Sequence, residues 1–136
     1  MSSILSIAAS GLTAASERLQ VSADNVANVE SDGPLPSASA EAQAQYPAAY
    51  VAQQLNQVAT PGGGTKAVVS NMQPGTVTAY SPTAPYADQN GQVAAPNVDL
   101  SNEVVQQAIA SYEFAANADV MKTYEKMMQA LLNIQT

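Results

Sequence analysis

The sequence predicts a mainly α fold with a small β part. Long N- and C-terminal helices pack as a coiled-coil helical layer, and a middle segment of short antiparallel strands and loops joins them. Two repeats and a change of composition carry this prediction. Leu5, Leu12, Leu19 and Val26 fall seven residues apart, with Ala8, Ala15, Ser22 and Val29 three residues after each. Near the other end Val105, Ile109, Tyr112, Ala116, Val120, Tyr124, Met127, Leu131 and Ile134 step by three or four, the spacing of one helix face. Between them Pro, Gly and β-branched residues replace the helical period. The chain divides into residues 1–30 (N-terminal helix), 31–98 (loop and β-rich middle) and 99–136 (C-terminal helix).

The first helix is predicted from Ser3 to Ala27, roughly 37 Å at about 1.5 Å per residue, with Ser2 or Ser3 as N-cap. A seven-residue repeat lies below the 3.6 residues of a straight helix turn, so this helix is expected to wrap left-handed around a partner. Its second seam positions are small (Ala8, Ala15, Ser22), and Gly11 lies one turn from Ala8 and Ala15, which permits close approach of another helix. Asn28 and the turn-forming run Ser31-Asp32-Gly33-Pro34 end it. Residues 34–45 are small and polar and read as a linker or mobile loop. Ala49-Tyr50-Val51 and Leu55 to Val58 are weak strand candidates, and Pro61-Gly62-Gly63-Gly64 a turn. Lys66 to Met72 and Thr76 to Tyr80 are better strands, separated by Pro74-Gly75. Two or three short antiparallel strands are too few to be stable alone, so the sheet is expected to lean on the helices or a neighbour. Pro82, Pro85 and Pro96 favour extended backbone over residues 81–97.

The last helix is predicted from a cap at Asp99 or Ser101 to Ile134, roughly 50 Å. Its main stripe averages about 3.6 residues per step, so it is expected to be nearly straight. A second stripe, Phe114, Ala118, Met121, Met128 and Leu132, sits roughly 130° around the cylinder. Asp119, Lys122, Lys126, Gln129 and Asn133 fill the remaining arc. One intramolecular helix covers one stripe, and the other is expected to meet another subunit. The expected subunit-packing residues are therefore Leu5, Leu12, Leu19, Val26, Phe114, Val120, Met121, Tyr124, Met127, Met128, Leu131, Leu132 and Ile134.

Composition excludes several functions. Only 11% of the residues are charged, against about 25% in an ordinary domain. The net charge is -7, and Arg18, Lys66, Lys122 and Lys126 are the only cations. No basic patch able to neutralise phosphates is available, so nucleic acid is not an expected partner. No apolar run reaches membrane-spanning length, so no membrane insertion is expected. The first sixteen residues mix Ser, Thr and Gly with apolar positions and lack the basic start of a secretory signal. Neither Cys nor His occurs, which removes disulfides, thiolate ligands and the commonest acid–base catalyst.

Each remaining motif has a simpler reading. Gly62-Gly63-Gly64 lacks the Lys-Ser/Thr of a phosphate loop and reads as a hairpin turn. Asp88-Gln89-Asn90-Gly91 lacks the ligand order of a calcium loop and reads as a tight turn. Asp24, Glu30 and Asp32 read as solvated carboxylates rather than a chelate, and Tyr112, Phe114 and Tyr124 as packing residues at helical spacing. No nucleophile stands with a base, so neither an enzyme nor a cofactor is expected. The competing non-enzymatic reading is a soluble helical adaptor or export chaperone.

Two segments resemble a known family, the bacterial flagellar basal-body rod and hook proteins. Ser10-Gly11-Leu12-Thr13-Ala14, followed by Asn25-Val26-Ala27-Asn28, is similar to the family's N-terminal signature. Phe114-Ala115-Ala116-Asn117-Ala118-Asp119-Val120-Met121-Lys122-Thr123, followed by Leu131-Leu132, is similar to its C-terminal signature. The stretch from Tyr80-Ser81-Pro82 through Asp88-Gln89-Asn90-Gly91 to Pro96-Asn97-Val98-Asp99 resembles the family's short members best. Ser31-Asp32-Gly33-Pro34 lacks the aromatic residue usual after the first signature, and the resemblance does not extend to residues 34–66. The resemblance implies a structural subunit that polymerises helically into the rod serving motility. It implies a homo-oligomer within a helical hetero-assembly of other rod proteins, in the periplasmic part of the basal body. It implies passage through the flagellar type III export apparatus without a cleaved signal. The family motif falls on Ser10, Gly11, Leu12, Asn25, Ala27, Asn28, Asn97, Ala116, Asn117 and Thr123.

Overall fold

A computed structural model describes residues 3–134. The chain runs α1 (Ser3–Ala27), α2 (Ala40–Gln45), β1 (Gln53–Ala59), β2 (Thr65–Asn71), β3 (Thr76–Tyr80), β4 (Gln92–Pro96) and α3 (Leu100–Ile134). It is mainly helical with a small antiparallel β part in the middle, as the two repeats predict. The expected cap at Ser2 or Ser3 lies outside the described side chains. At the other helix the cap is Asp99, whose Oδ1 accepts from the N–H groups of Ser101 (2.9 Å) and Asn102 (3.3 Å). An acidic cap satisfies donors that have no intrahelical partner and complements the positive end of the helix dipole.

Four strands form where two or three were expected, and they form two separate hairpins. In the first, Gln53 pairs with Asn71 and Ala59 with Thr65, so the triple glycine makes the turn. Gly62, Gly63 and Gly64 all have φ near +90 to +98°, backbone that only glycine adopts without strain. In the second, Thr76 pairs with Pro96 and Tyr80 with Gln92. The segment around Pro74-Gly75 is therefore a crossing between sheets and not the turn of a β2–β3 hairpin. Its Gly75 carbonyl accepts from the N–H groups of Ala52 and Asn97 (3.1 Å each), one from each hairpin's flank. β4 was not expected. The prolines of residues 81–97 indicate extended backbone without specifying a strand, and Pro96 sits at the end of β4, where a missing donor costs little. Asp88 Oδ1 accepts from the N–H groups of Asn90 and Gln92 and builds the tight turn leading into β4.

Residues 34–45 hold a short helix within the segment read as linker. Ser39 Oγ accepts from the Ala42 N–H, and the Gln43 amide donates to the carbonyls of Pro36 and Ala38. Ala, Glu and Gln are good helix formers, and a serine cap is enough to start one turn.

The architecture is layered. α1 lies in the middle, with the β1–β2 hairpin against one side and α3 antiparallel to it on another, and α3 packs mainly on α1. The core is made of small residues: Ala8, Ala14, Ala15, Ala52, Ala94 and Ala110 are buried, and Val93 is the largest fully buried side chain.

Candidate functional site: the helix seam and the apolar end of α3

The line along which α1 and α3 meet follows a seven-residue repeat, and its positions are small or polar. On α1 it runs through Ala8, Gly11, Ala15, Arg18, Ser22 and Asn25. On α3 it runs through Glu103, Gln106, Ala110, Glu113 and Asn117. At about 100° per residue this line falls between the two apolar stripes predicted for α3. From Glu103 to Asn117 the expectation that the intramolecular partner covers one stripe is thereby corrected: over that length both stripes flank the contact. Val105, Ile109, Tyr112, Phe114, Val120, Met127, Met128, Leu131, Leu132 and Ile134 are all exposed.

Asn25 organises one end of the seam. It is fully buried. Its Nδ2 donates to the Gln53 carbonyl (2.8 Å) and to Glu103 Oε1 (2.7 Å). Its Oδ1 accepts from the Gln53 N–H and the Tyr50 hydroxyl (3.0 Å each). Four bonds exhaust a primary amide, and they join α1 to β1, to α3 and to the loop before β1. Beside it Ser22 Oγ donates to the Glu103 carbonyl (3.0 Å). Glu103 is only 6% exposed. Burial first, then the nearby charges of Asp24 and Glu103, raise the pKa of Tyr50 above its ordinary value.

In the middle of the seam Arg18 donates to Gln106 Oε1 (2.9 Å) and pairs with Glu113 Oε2 (3.3 Å), to which Gln57 of the hairpin also donates (3.2 Å). At the far end Asn117 lies against Gly11, where an added Cβ would come within 2.5 Å of the amide oxygen. The missing side chain of Gly11 is the space that Asn117 fills. Next to it Ser10 Oγ accepts from the Thr65 N–H (3.1 Å) and holds the hairpin tip on α1.

Beyond Asn117 the character of α3 changes. Ile4 shares an apolar groove with Val120, Tyr124 and Met127, and Ala116 and Thr123 form part of its wall. α3 then continues through Met128, Leu131, Leu132 and Ile134, which are 42%, 58%, 66% and 79% exposed. On α1 Leu5 and Leu19 are exposed, while Leu12 and Val26 are half-buried. Met121 and Tyr124 are also half-buried.

The motif residues thus fall in different places. Asn25, Gly11 and Asn117 lie on the seam and Ser10 at the hairpin tip. Asn28 donates to the Asp24 carbonyl at the end of α1 (2.9 Å), and Ala27 is its last residue. Asn97 donates to the Pro74 carbonyl (2.8 Å), tying the approach to α3 onto the crossing between sheets. Apolar periodicity missed Arg18, Glu103, Gln106 and Glu113 because it weighs only apolar side chains. A signal was present: counting back from Val120 by threes and fours gives Asn117, Glu113, Ala110, Gln106 and Glu103. Among the described residues no three acidic side chains gather as a metal site, and no helix is long and apolar enough to cross a membrane.

A buried polar seam joining two terminal helices, with apolar residues left on their outer sides, is a scaffold for assembly. Comparison with known proteins agrees. Residues 5–34 match the family "Flagella basal body rod protein", and residues 89–134 match "Flagellar basal body rod FlgEFG protein C-terminal". The flagellar basal-body rod protein FlgC of Escherichia coli O6:H1 is 39% identical over 137 residues, covering 96% of this chain and 95% of that protein. The FlgC of Salmonella typhimurium strain LT2 is likewise 39% identical over the same shares. That of Yersinia enterocolitica is 34% identical over 134 residues, again covering 96% and 95%. The chain belongs to the flagellar basal-body rod protein family. Its function is structural, as a subunit of the flagellar rod in the basal body.

Proposed function

We propose that this subunit works by folding coupled to polymerisation at the apolar end of α3, from Met127 onward, which becomes ordered as it joins the subunit to its neighbours. The observation that carries the reading is the exposure of Met127, Met128, Leu131, Leu132 and Ile134 on adjoining turns of one helix end. Burying one such side chain contributes roughly 1.5–3 kcal/mol. Association costs an estimated 4–15 kcal/mol in lost freedom, so several must be buried together. The exposed leucines of α1 supply a complementary stripe on a neighbouring copy or a related rod protein.

In this reading the chain occupies the proximal rod, in the periplasm, as part of a helical hetero-assembly. It reaches that place through the flagellar type III export apparatus, without a cleaved signal, and catalyses nothing.

Leu131→Asp or Leu12→Asp is expected to abolish incorporation into basal bodies while leaving expression intact, as read by immunoblotting of purified basal bodies. Normal rod assembly by either variant would refute the reading. A soluble adaptor would instead form a discrete dimer at high concentration, with helicity that does not rise on assembly.

A further inference from the structure

The repeats on both helices create an ambiguity that apolar packing alone resolves wrongly. On α3 the seam line does not stop at Asn117 but continues through Val120, Tyr124, Met127, Leu131 and Ile134. On α1 the facing line repeats every seven residues. Sliding α3 by seven residues along α1 therefore keeps both lines in phase. In that register Tyr124 takes the place of Asn117 over Gly11, and Met127 and Leu131 come to lie beside Ala8 and Ile4. More apolar surface leaves water, so hydrophobic burial favours the slide. α3 packs mainly on α1; Gln57 of β1 donates to Glu113, and Asn97, bonded to Pro74 and Gly75, is its backbone tether to the sheets. Unwinding the first two turns of α3 would release it.

Polar groups oppose the slide. Ala110 would stand where Glu103 now accepts from Asn25, leaving that buried amide short of a partner. Val120 would stand where Glu113 now pairs with Arg18 and Glu113 would move to the place of Gln106, so Arg18 would keep one of its two partners on α3 and lose the other. Tyr124 would have to enter the notch that Gly11 leaves for Asn117. We infer that Asn25, Arg18, Glu103, Gln106, Glu113 and Asn117 fix the register of α3 on α1 and so keep the apolar end of α3 projecting. These are register-determining residues: they give up burial to hold one alignment, the use best attested for polar groups on a coiled-coil seam. That the projecting end serves polymerisation rests on the function proposed above. The register itself is read on the isolated chain and stands or falls without it.

The chain has no cysteine, so two spin labels can be placed without background. Gln20→Cys and Lys122→Cys lie at exposed positions on α1 and α3. Pulsed electron-spin distance measurement on the full-length labelled chain is expected to give a single distance. The same labels in Arg18→Leu/Gln106→Leu/Glu113→Leu, and in the milder Arg18→Leu/Glu113→Leu, are expected to show a second population. Its axial separation is shorter by about 10 Å, seven residues at about 1.5 Å each, and helicity by circular dichroism is retained. An unchanged single distance in both variants overturns the inference. So does a broad distribution in the parent chain, or loss of helicity in both variants, since the polar seam would then be a folding requirement and not a register device.

Discussion

Asn25 joins three parts of the molecule through one amide, and its bond with Tyr50 gives it a pH signature. The Tyr50 hydroxyl donates to Asn25 Oδ1 (3.0 Å). Burial, then the carboxylates of Asp24 and Glu103, raise its pKa above the ordinary value of about 10. A raised folded-state pKa means that the folded chain holds this proton more tightly than the unfolded chain does. The stabilisation is fully present below about pH 10 and is lost as pH rises through the higher folded-state value. Urea unfolding between pH 9 and 11 is expected to show falling stability, with a flatter decline in Tyr50→Phe. Identical slopes would mean that the proton on Tyr50 does not matter to folding. The sequence marked Asn25 through its motif and left Tyr50 as part of a weak strand. Their bond spans 25 positions of the chain and a turn of α1, a closeness that neither periodicity nor propensity encodes.

Helices were legible here and strand pairing was not. α1 and α3 announce themselves through repeats sustained over many turns and through turn-forming or capping residues at their ends. Asp99 is the clearest case. Its carboxylate meets two free N–H groups of α3, so Asp99→Ala is expected to lower stability by about 1 kcal/mol. Thermal denaturation by circular dichroism would read this as a lower midpoint, and Asp99→Asn should restore most of the loss. The hairpins were harder to read because their strands lack clean alternation. β1 and β2 present mostly exposed residues on both faces. Without one buried face nothing in the sequence specifies which strands pair, and register depends on the turns. The glycine turn was visible, whereas the crossing at Pro74-Gly75 looked like a second turn. The face of α3 that meets α1 was obscured for another reason. Its two apolar stripes drew attention from the polar line between them, and that line is the contact.

At the scale of the whole molecule, α1 is flanked by the hairpin and α3, and the end of α3 is left outside the layered part. In a solitary chain the residues from Met128 onward contribute little to folding, because the large side chains described there are between 42% and 79% exposed. Removing exposed residues away from caps and buried networks usually changes stability by about 0.5 kcal/mol or less. A chain ending at Met127 is therefore expected to keep the urea midpoint of the full-length protein. It keeps Asn25, the Arg18–Glu113 pair and the Asn117–Gly11 contact, all of which lie before the cut. It loses four large apolar side chains, Met128, Leu131, Leu132 and Ile134, and with them most of the surface that polymerisation is proposed to bury. Incorporation into basal bodies is accordingly expected to fall to background while the monomer folds as before. The two measurements together separate the cases. A large loss of stability on truncation would show that the end packs within its own chain, and assembly with an intact midpoint would show that neighbours bind elsewhere.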